Sequence, residues 1–313
     1  MGGLRCFWNA AGVTQVHSRF YNEAIFEVRL HPRTPLLIKA GGEGAAATDP
    51  TVPDMSFVRT RRPGGGEVLY IPGSSLRGVL RAHAERLLRS VDGGAACDPL
   101  ARGGEETRYG LRRACSFDDG VSGDEAYRRA CRACRLFGTT GLASRVRVSD
   151  FYPDEEPVCD TRYGVAIDRV TGAVAHGPFE LEIVTDGSFT GTITLRNFTL
   201  GQFGLLAAAL LDVGDGLVPL GYGKSRGLGR VDLTVTRLAV RTLRDPEGAL
   251  TGAGALCDGR TREAFRLPAA EQERLSVGAV ARREKGFFVL VAEGAEARRW
   301  LEEAVPRWLE EMA

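Results

Sequence analysis

The chain predicts an α+β fold with six elements in the order β-α-β-β-α-β. Three observations lead there. Four stretches alternate apolar and polar residues with the period of a strand, and two others carry apolar residues at helical spacing. The segments that interrupt this order differ in kind, one holding cysteines and one reading as a long hairpin.

Ala24-Ile-Phe-Glu-Val-Arg-Leu30 alternates and reads as a half-buried strand. Residues 41–66 are rich in Gly, Ala and Pro. They are too long and loose for a structural turn, so they read as a functional loop. Ser74 is expected to cap a helix whose stripe is Leu76, Leu80, Ala84 and Leu87, with Arg77, Arg81 and Arg89 off it. Residues 92–143 form a cysteine-bearing insertion, and Arg145-Val-Arg-Val-Ser149 is the second strand. Residues 160–184 read as a hairpin turning near Val170-Thr-Gly172 or Ala175-His-Gly177. Phe189-Thr-Gly-Thr-Ile-Thr-Leu195 alternates again, residues 200–211 form an apolar helix, and Val231, Leu233 and Val235 mark the last strand. With the insertion and hairpin set aside, this is the ferredoxin-like, RRM-like order, assigned to residues 1–240. Residues 241–313 read as a C-terminal α/β extension: a Gly-rich linker, a strand at 286–291, and a helix from Ala295 that Pro306 kinks or divides.

No apolar run reaches the length of a membrane span, and the N-terminus lacks the apolar stretch and cleavage site of a signal peptide. The expectation is a cytoplasmic protein. Seven cysteines in that setting argue for reduced thiols or a metal rather than disulfides. The net charge of +1 hides an imbalance, since residues 55–90 hold seven Arg against Glu67 and Glu85. Lys occurs only at 39, 224 and 285, and the dominant Arg is the side chain that grips phosphate bidentately.

Two glycine-punctuated segments carry the strongest chemical signal. Tyr70-Ile-Pro-Gly-Ser-Ser-Leu-Arg-Gly78 opens a helix, where unpaired N–H groups and the dipole favour an anion beside Ser74, Ser75, Arg77 and Arg81. Leu220-Gly-Tyr-Gly-Lys-Ser-Arg-Gly-Leu-Gly-Arg230 opens a strand and surrounds Lys224, Ser225 and Arg226 with Gly221, Gly223, Gly227 and Gly229. Gly-Lys-Ser invites a triphosphate loop, but Val218 stands where its first Gly belongs and a strand follows instead of a helix. Two cationic loops of this kind suit a run of phosphates, which makes RNA or DNA the expected partner.

Cys131-Arg-Ala-Cys134 has metal-knuckle spacing, and Cys115 and Cys97 lie upstream in the same insertion. Four thiolates complete a tetrahedral structural Zn2+ site, which would supply folding energy to a stretch poor in large apolar residues. His83 is the alternative to Cys97 as fourth ligand. Cys6, Cys159 and Cys257 read as plain thiols.

Several motifs recur together in one order. They are Ile71-Pro-Gly-Ser-Ser-Leu-Arg-Gly78, Cys134-Arg-Leu-Phe-Gly138, Ser144-Arg-Val-Arg-Val-Ser-Asp150, Gly164-Val-Ala-Ile-Asp-Arg-Val-Thr-Gly172 and Gly221-Tyr-Gly-Lys-Ser-Arg-Gly-Leu-Gly229. Over about residues 23–240 the chain resembles the RAMP superfamily, the backbone subunits of type III CRISPR effector complexes. The resemblance implies a filament of copies along CRISPR RNA, with target RNA and other effector subunits as further partners. It implies that the glycine loop and the helix after Pro72 line the guide. It makes the hairpin a thumb that parts the guide–target duplex, with Asp168, Arg169 and Thr171 in its motif. It also implies an Asp, in the loop before the helix, that cuts target RNA. Asp54 in Asp54-Met-Ser-Phe-Val-Arg59 suits that place better than Asp49. Such a carboxylate would bind Mg2+ or another divalent cation, or orient a 2′-hydroxyl, giving a 2′,3′-cyclic phosphate and a 5′-hydroxyl. Two alternatives stand beside this: a non-catalytic scaffold, and a guide-processing ribonuclease using His31.

Overall fold

The computed structural model describes residues 19–40, 53–62, 64–101, 112–118 and 120–313. Strand β1 (Asn22–Pro32) precedes the short pair β2 (Arg59–Arg61) and β3 (Glu67–Leu69), then helix α1 (Gly73–Val91). The cysteine-bearing stretch supplies α2 (Gly123–Arg129) and α3 (Arg132–Phe137). Next come β4 (Val146–Val148), β5 (Tyr152–Pro153), the long strands β6 (Val158–Ile167) and β7 (Val174–Asp186), then β8 (Phe189–Arg196) and α4 (Leu200–Gly214). Strand β9 (Val231–Thr242) follows the glycine loop. The remainder holds β10 (Ala249–Thr251), α5 (Ala253–Leu256), α6 (Gly259–Phe265), β11 (Arg274–Ser276), β12 (Arg282–Glu284), β13 (Phe287–Glu293), α7 (Gly294–Ala304) and α8 (Pro306–Glu310).

The four expected strands lie side by side in the order β9-β1-β8-β4, each antiparallel to its neighbour. That order interleaves two βαβ units, because β1 sits between β8 and β9 while α1 and α4 make the crossovers. Ala24, Phe26, Val28 and Leu30 of β1 point inward and are buried. Leu76, Leu80, Phe203 and Leu206 of the two helices join them in one core. Helix α4 starts with a capping box, Thr199 and Gln202 each bonding the other's backbone N–H.

The opposite face of the sheet carries charge where many RNA-recognition sheets carry aromatic rings. Glu23 stands directly between Arg196 and Arg241, Ile25 between Thr194 and Ala239, and Glu27 between Thr192 and Arg237. The buried Glu23 carboxylate accepts from Arg196 at 2.9 and 2.6 Å and also from Arg241.

Residues beyond 240 build onto the same sheet. β13 pairs with β9 from Phe288 opposite Thr242 to Glu293 opposite Arg237. Trp300 of α7 is fully buried, and Pro306 occupies the first turn of α8. The stretch read as a Gly-rich linker contains the β10–β11 ladder, α5 and α6. Glu273 fastens it, accepting from Leu200 N–H at 2.9 Å and Gly254 N–H at 3.1 Å. Burial pushes this carboxyl up to about 8 despite those two donors.

Candidate nucleic-acid interface and metal centre

Helix α1 begins at Gly73, so Ser74 lies inside its first turn rather than capping it. The cap comes from another motif: the Asp150 carboxylate accepts the Gly73 N–H at 2.8 Å. A Cβ at position 73 would sit 2.3 Å from the Val148 carbonyl oxygen, so only glycine allows this approach. The anion expected at this helix end is thus partly supplied by the protein itself. Ser74 is exposed and Ser75 half-buried.

Arg77 and Arg81 are also placed differently from the expectation. Arg77 donates to the Phe137 carbonyl and to Ser144 Oγ at 3.2 Å. Arg81 donates to Glu85 at 2.8 Å, the Gly138 carbonyl at 2.9 Å and Cys134 Sγ at 3.3 Å. Both turn towards the cysteine-bearing segment and tie it to the helix. The exposed ridge of α1 is instead Ser74, Gly78, Ala82 and Arg86, one turn apart.

The glycine loop reaches that ridge. Gly221, Gly223, Gly227 and Gly229 all have positive φ, and Lys224–Arg226 form one 3-10 turn between two of them. Two of these glycines are required by packing as well. A Cβ at Gly229 would lie 1.9 Å from the Leu220 oxygen, and one at Gly221 would lie 2.4 Å from the Leu37 oxygen. The turn therefore projects Lys224, Ser225 and Arg226 into solvent. Arg226 lies over the Tyr222 ring, 5.2 Å from its centroid, and donates to its hydroxyl. Desolvation, and then repulsion from Arg86, hold the Lys224 ammonium below the usual lysine range. Among the described residues no carboxylate pairs with either cation.

Residues 35–40 join the remaining candidate elements. The Pro35 carbonyl accepts from Gly229 N–H and the Leu37 carbonyl from Tyr222 N–H, which holds the glycine loop. Leu36 exchanges two hydrogen bonds with Val184 of β7, and the Ile38 carbonyl accepts from Val58 N–H. Tyr70 N–H then donates to the Val58 carbonyl, linking the start of α1. Asp54 belongs to this network: its Oδ2 accepts the Glu180 N–H at 2.9 Å, at the base of the hairpin. The residue is exposed. Asp49 lies outside the described residues.

Strands β6 and β7 form the expected hairpin, and its turn falls at Asp168–Ala173. Asp168 builds the turn, its Oδ1 accepting from the N–H groups of Val170 and Thr171 and from Thr171 Oγ1. Those bonds, led by the Thr171 N–H, hold its carboxyl below the usual range. Asp168 and Thr171 thus shape the tip, while Arg169 and Val170 project from it, Val170 being 93% exposed. Tyr163, Val165, Ile167 and Val174 continue an exposed apolar surface down the hairpin.

Cys97, Cys115, Cys131 and Cys134 are all buried, with their sulfurs within 4.8 Å of one another. Cys97 and Cys134 sulfurs are 3.7 Å apart. A tetrahedral site with Zn–S bonds of about 2.3 Å needs sulfurs about 3.8 Å apart, so the set suits such an ion. Backbone N–H groups already point at two sulfurs, Cys131 N–H at Cys115 and Cys134 N–H at Cys131. The Arg81 guanidinium beside Cys134 offsets part of the charge four thiolates would carry. His83 takes no part: its Nε2 lies 2.5 Å from Asp212 Oδ2 on α4. Among the described residues Asp54 belongs to no comparable group of metal-ligating side chains. His31 bonds Asp186 at 3.0 Å.

The RAMP superfamily model matches residues 29–232 of the 313. The chain belongs to the RAMP superfamily. The matched span covers both glycine segments, the hairpin and all four clustered cysteines. RAMP proteins bind CRISPR RNA and other effector subunits, so this is a CRISPR-associated RNA-binding subunit. No curated protein matches the chain. No helix among the described residues of this RAMP protein is long and apolar enough to cross a membrane.

Proposed function

We propose that this RAMP protein is a guide-binding backbone subunit of a type III CRISPR effector, and that it cuts guide-paired target RNA through Asp54. The carrying observation is the 35–40 segment, which bonds the glycine loop, the Asp54 segment and the hairpin base together. Lys224, Arg226 and Arg86, with the Ser74–Arg86 ridge, would hold guide phosphates. The inward turn of Arg77 and Arg81 gives them the supporting role of fixing α1 to a zinc-bound cysteine segment. The hairpin, with Arg169 and Val170 at its tip, would enter the guide–target duplex. Copies of the chain would repeat this arrangement along the guide.

Cleavage would be an attack of the 2′-oxygen on the adjacent phosphorus. The P–O5′ bond breaks and the departing 5′-oxygen takes a proton from water, leaving a 2′,3′-cyclic phosphate and a 5′-hydroxyl. With Oδ2 bonded to Glu180, Asp54 keeps Oδ1 to orient or receive the 2′-hydroxyl proton. Any divalent cation would need ligands from the RNA. The test is Asp54→Ala in the assembled complex. Loss of target cutting with guide and target binding retained supports the reading. Unchanged cutting assigns the chain the scaffold role alone.

A further inference from the structure

We infer that Glu182 is a positioning residue that locks the Asp54 segment to the base of the hairpin, so that the two move as one body. The inference rests on the reading of Asp54 above. Glu182 lies on β7 with its side chain 14% exposed. Its Oε2 accepts the Phe57 N–H at 2.8 Å and an Arg59 N–H at 2.9 Å, and Arg59 also donates to Oε1. The same Arg59 donates to the Phe57 carbonyl at 3.1 Å. One carboxylate thus fixes a backbone amide and the guanidinium that holds the next carbonyl. The Arg59 hydrogen bond and the Phe57 N–H together hold Glu182 below the usual range against its burial.

Backbone bonds extend this clamp. Met55 N–H donates to the Glu180 carbonyl, and Glu182 N–H donates to the Met55 carbonyl, both at 3.0 Å. Asp54 itself accepts from Glu180 N–H. Residues 54–59 therefore run beside 180–182 with side-chain and main-chain bonds alternating along the seam. Removing Glu182 leaves Phe57, which is 1% exposed, with an unpaired buried N–H, and leaves Arg59 without its carboxylate. The Asp54 segment would then lose its register against the hairpin. Small losses of register slow a reaction that depends on alignment.

The test uses the assembled complex with guide RNA and compares wild type, Glu182→Ala and Glu182→Gln. In Glu182→Ala, single-turnover target cutting is expected to fall roughly tenfold to a hundredfold, with target affinity unchanged. Hydrogen exchange of the Met55–Arg59 amides should rise while that of α1 stays constant. Glu182→Gln keeps an acceptor for Phe57 N–H and should recover part of the rate. Unchanged cutting and exchange in Glu182→Ala would overturn the inference. Absence of cutting by the wild-type complex would overturn the proposed function instead, so the two failures are distinguishable.

Discussion

Asp150 and Gly73 are joined by a 2.8 Å hydrogen bond in which a carboxylate at the end of one sequence motif caps the helix that another motif opens. The Pro-Gly-Ser-Ser segment and the Ser-Asp segment after β4 are one device. The carboxylate satisfies an N–H that the helix leaves free and opposes the positive end of its dipole. Asp150→Ala is expected to cost about 1 kcal/mol, and Asp150→Asn less, because the amide oxygen still accepts. Urea unfolding of the three proteins checks this. Equal stability of Asp150→Ala and wild type would remove the cap from the account.

Metal at the four cysteines would add folding energy to that of the segment's buried apolar residues, among them Phe117, Tyr127, Leu136 and Phe137. Purified protein should carry close to one zinc per chain by elemental analysis. Chelation, or Cys131→Ser, should lower stability by more than the roughly 1 kcal/mol of an ordinary point change. It should also loosen the Arg77 and Arg81 bonds to the Phe137 and Gly138 carbonyls, visible as faster exchange along α1. Metal-free protein of undiminished stability would end this reading.

Lys224 and Arg86 repel one another, and bound phosphate would relieve that repulsion. Lys224→Ala and Arg86→Ala should each weaken guide binding and lower the salt dependence of affinity by about one unit of slope. Arg77→Ala should act on stability more than on that slope, because its guanidinium is spent on Phe137 and Ser144. A slope change for Arg77→Ala equal to that of Lys224→Ala would reverse the assignment.

Glu273 sets an expectation for pH. Its carboxyl is raised from the usual 4.5 to about 8, so the folded chain holds a proton the unfolded chain has lost. Between these values the native state binds more protons, and stability falls as pH rises. Above about 8 the carboxylate is ionised in both states and the decline levels off. Glu273→Gln should flatten this part of the profile, measured as melting temperature from pH 5 to 8.

Much of this was legible in residues that act on their neighbours. Alternation along β1, β8 and β9 reports a half-buried sheet, and Gly221 to Gly229 reports a left-handed backbone, because both constraints are local. The cysteine knuckle is local too, and it supplies two of the four sulfurs that the fold gathers. What was not legible depends on distant segments meeting. Asp150 caps a helix 77 positions upstream, and no periodicity marks such a pair. Arg77 and Arg81 lie off the apolar stripe and so read as solvent-facing, yet the cysteine segment covers that side. Strands β10 and β11, of three residues each, are too short for a pattern to emerge.

Arg196, Glu23 and Arg241 form one guanidinium–carboxylate row across β8, β1 and β9. Both guanidinium groups of that row are spent on the Glu23 carboxylate, and Arg241 also lies over the Phe287 ring. Under the proposed function, a polynucleotide at the glycine turn would be gripped by its sugar–phosphate rail, leaving its Watson–Crick edges available to a complementary strand.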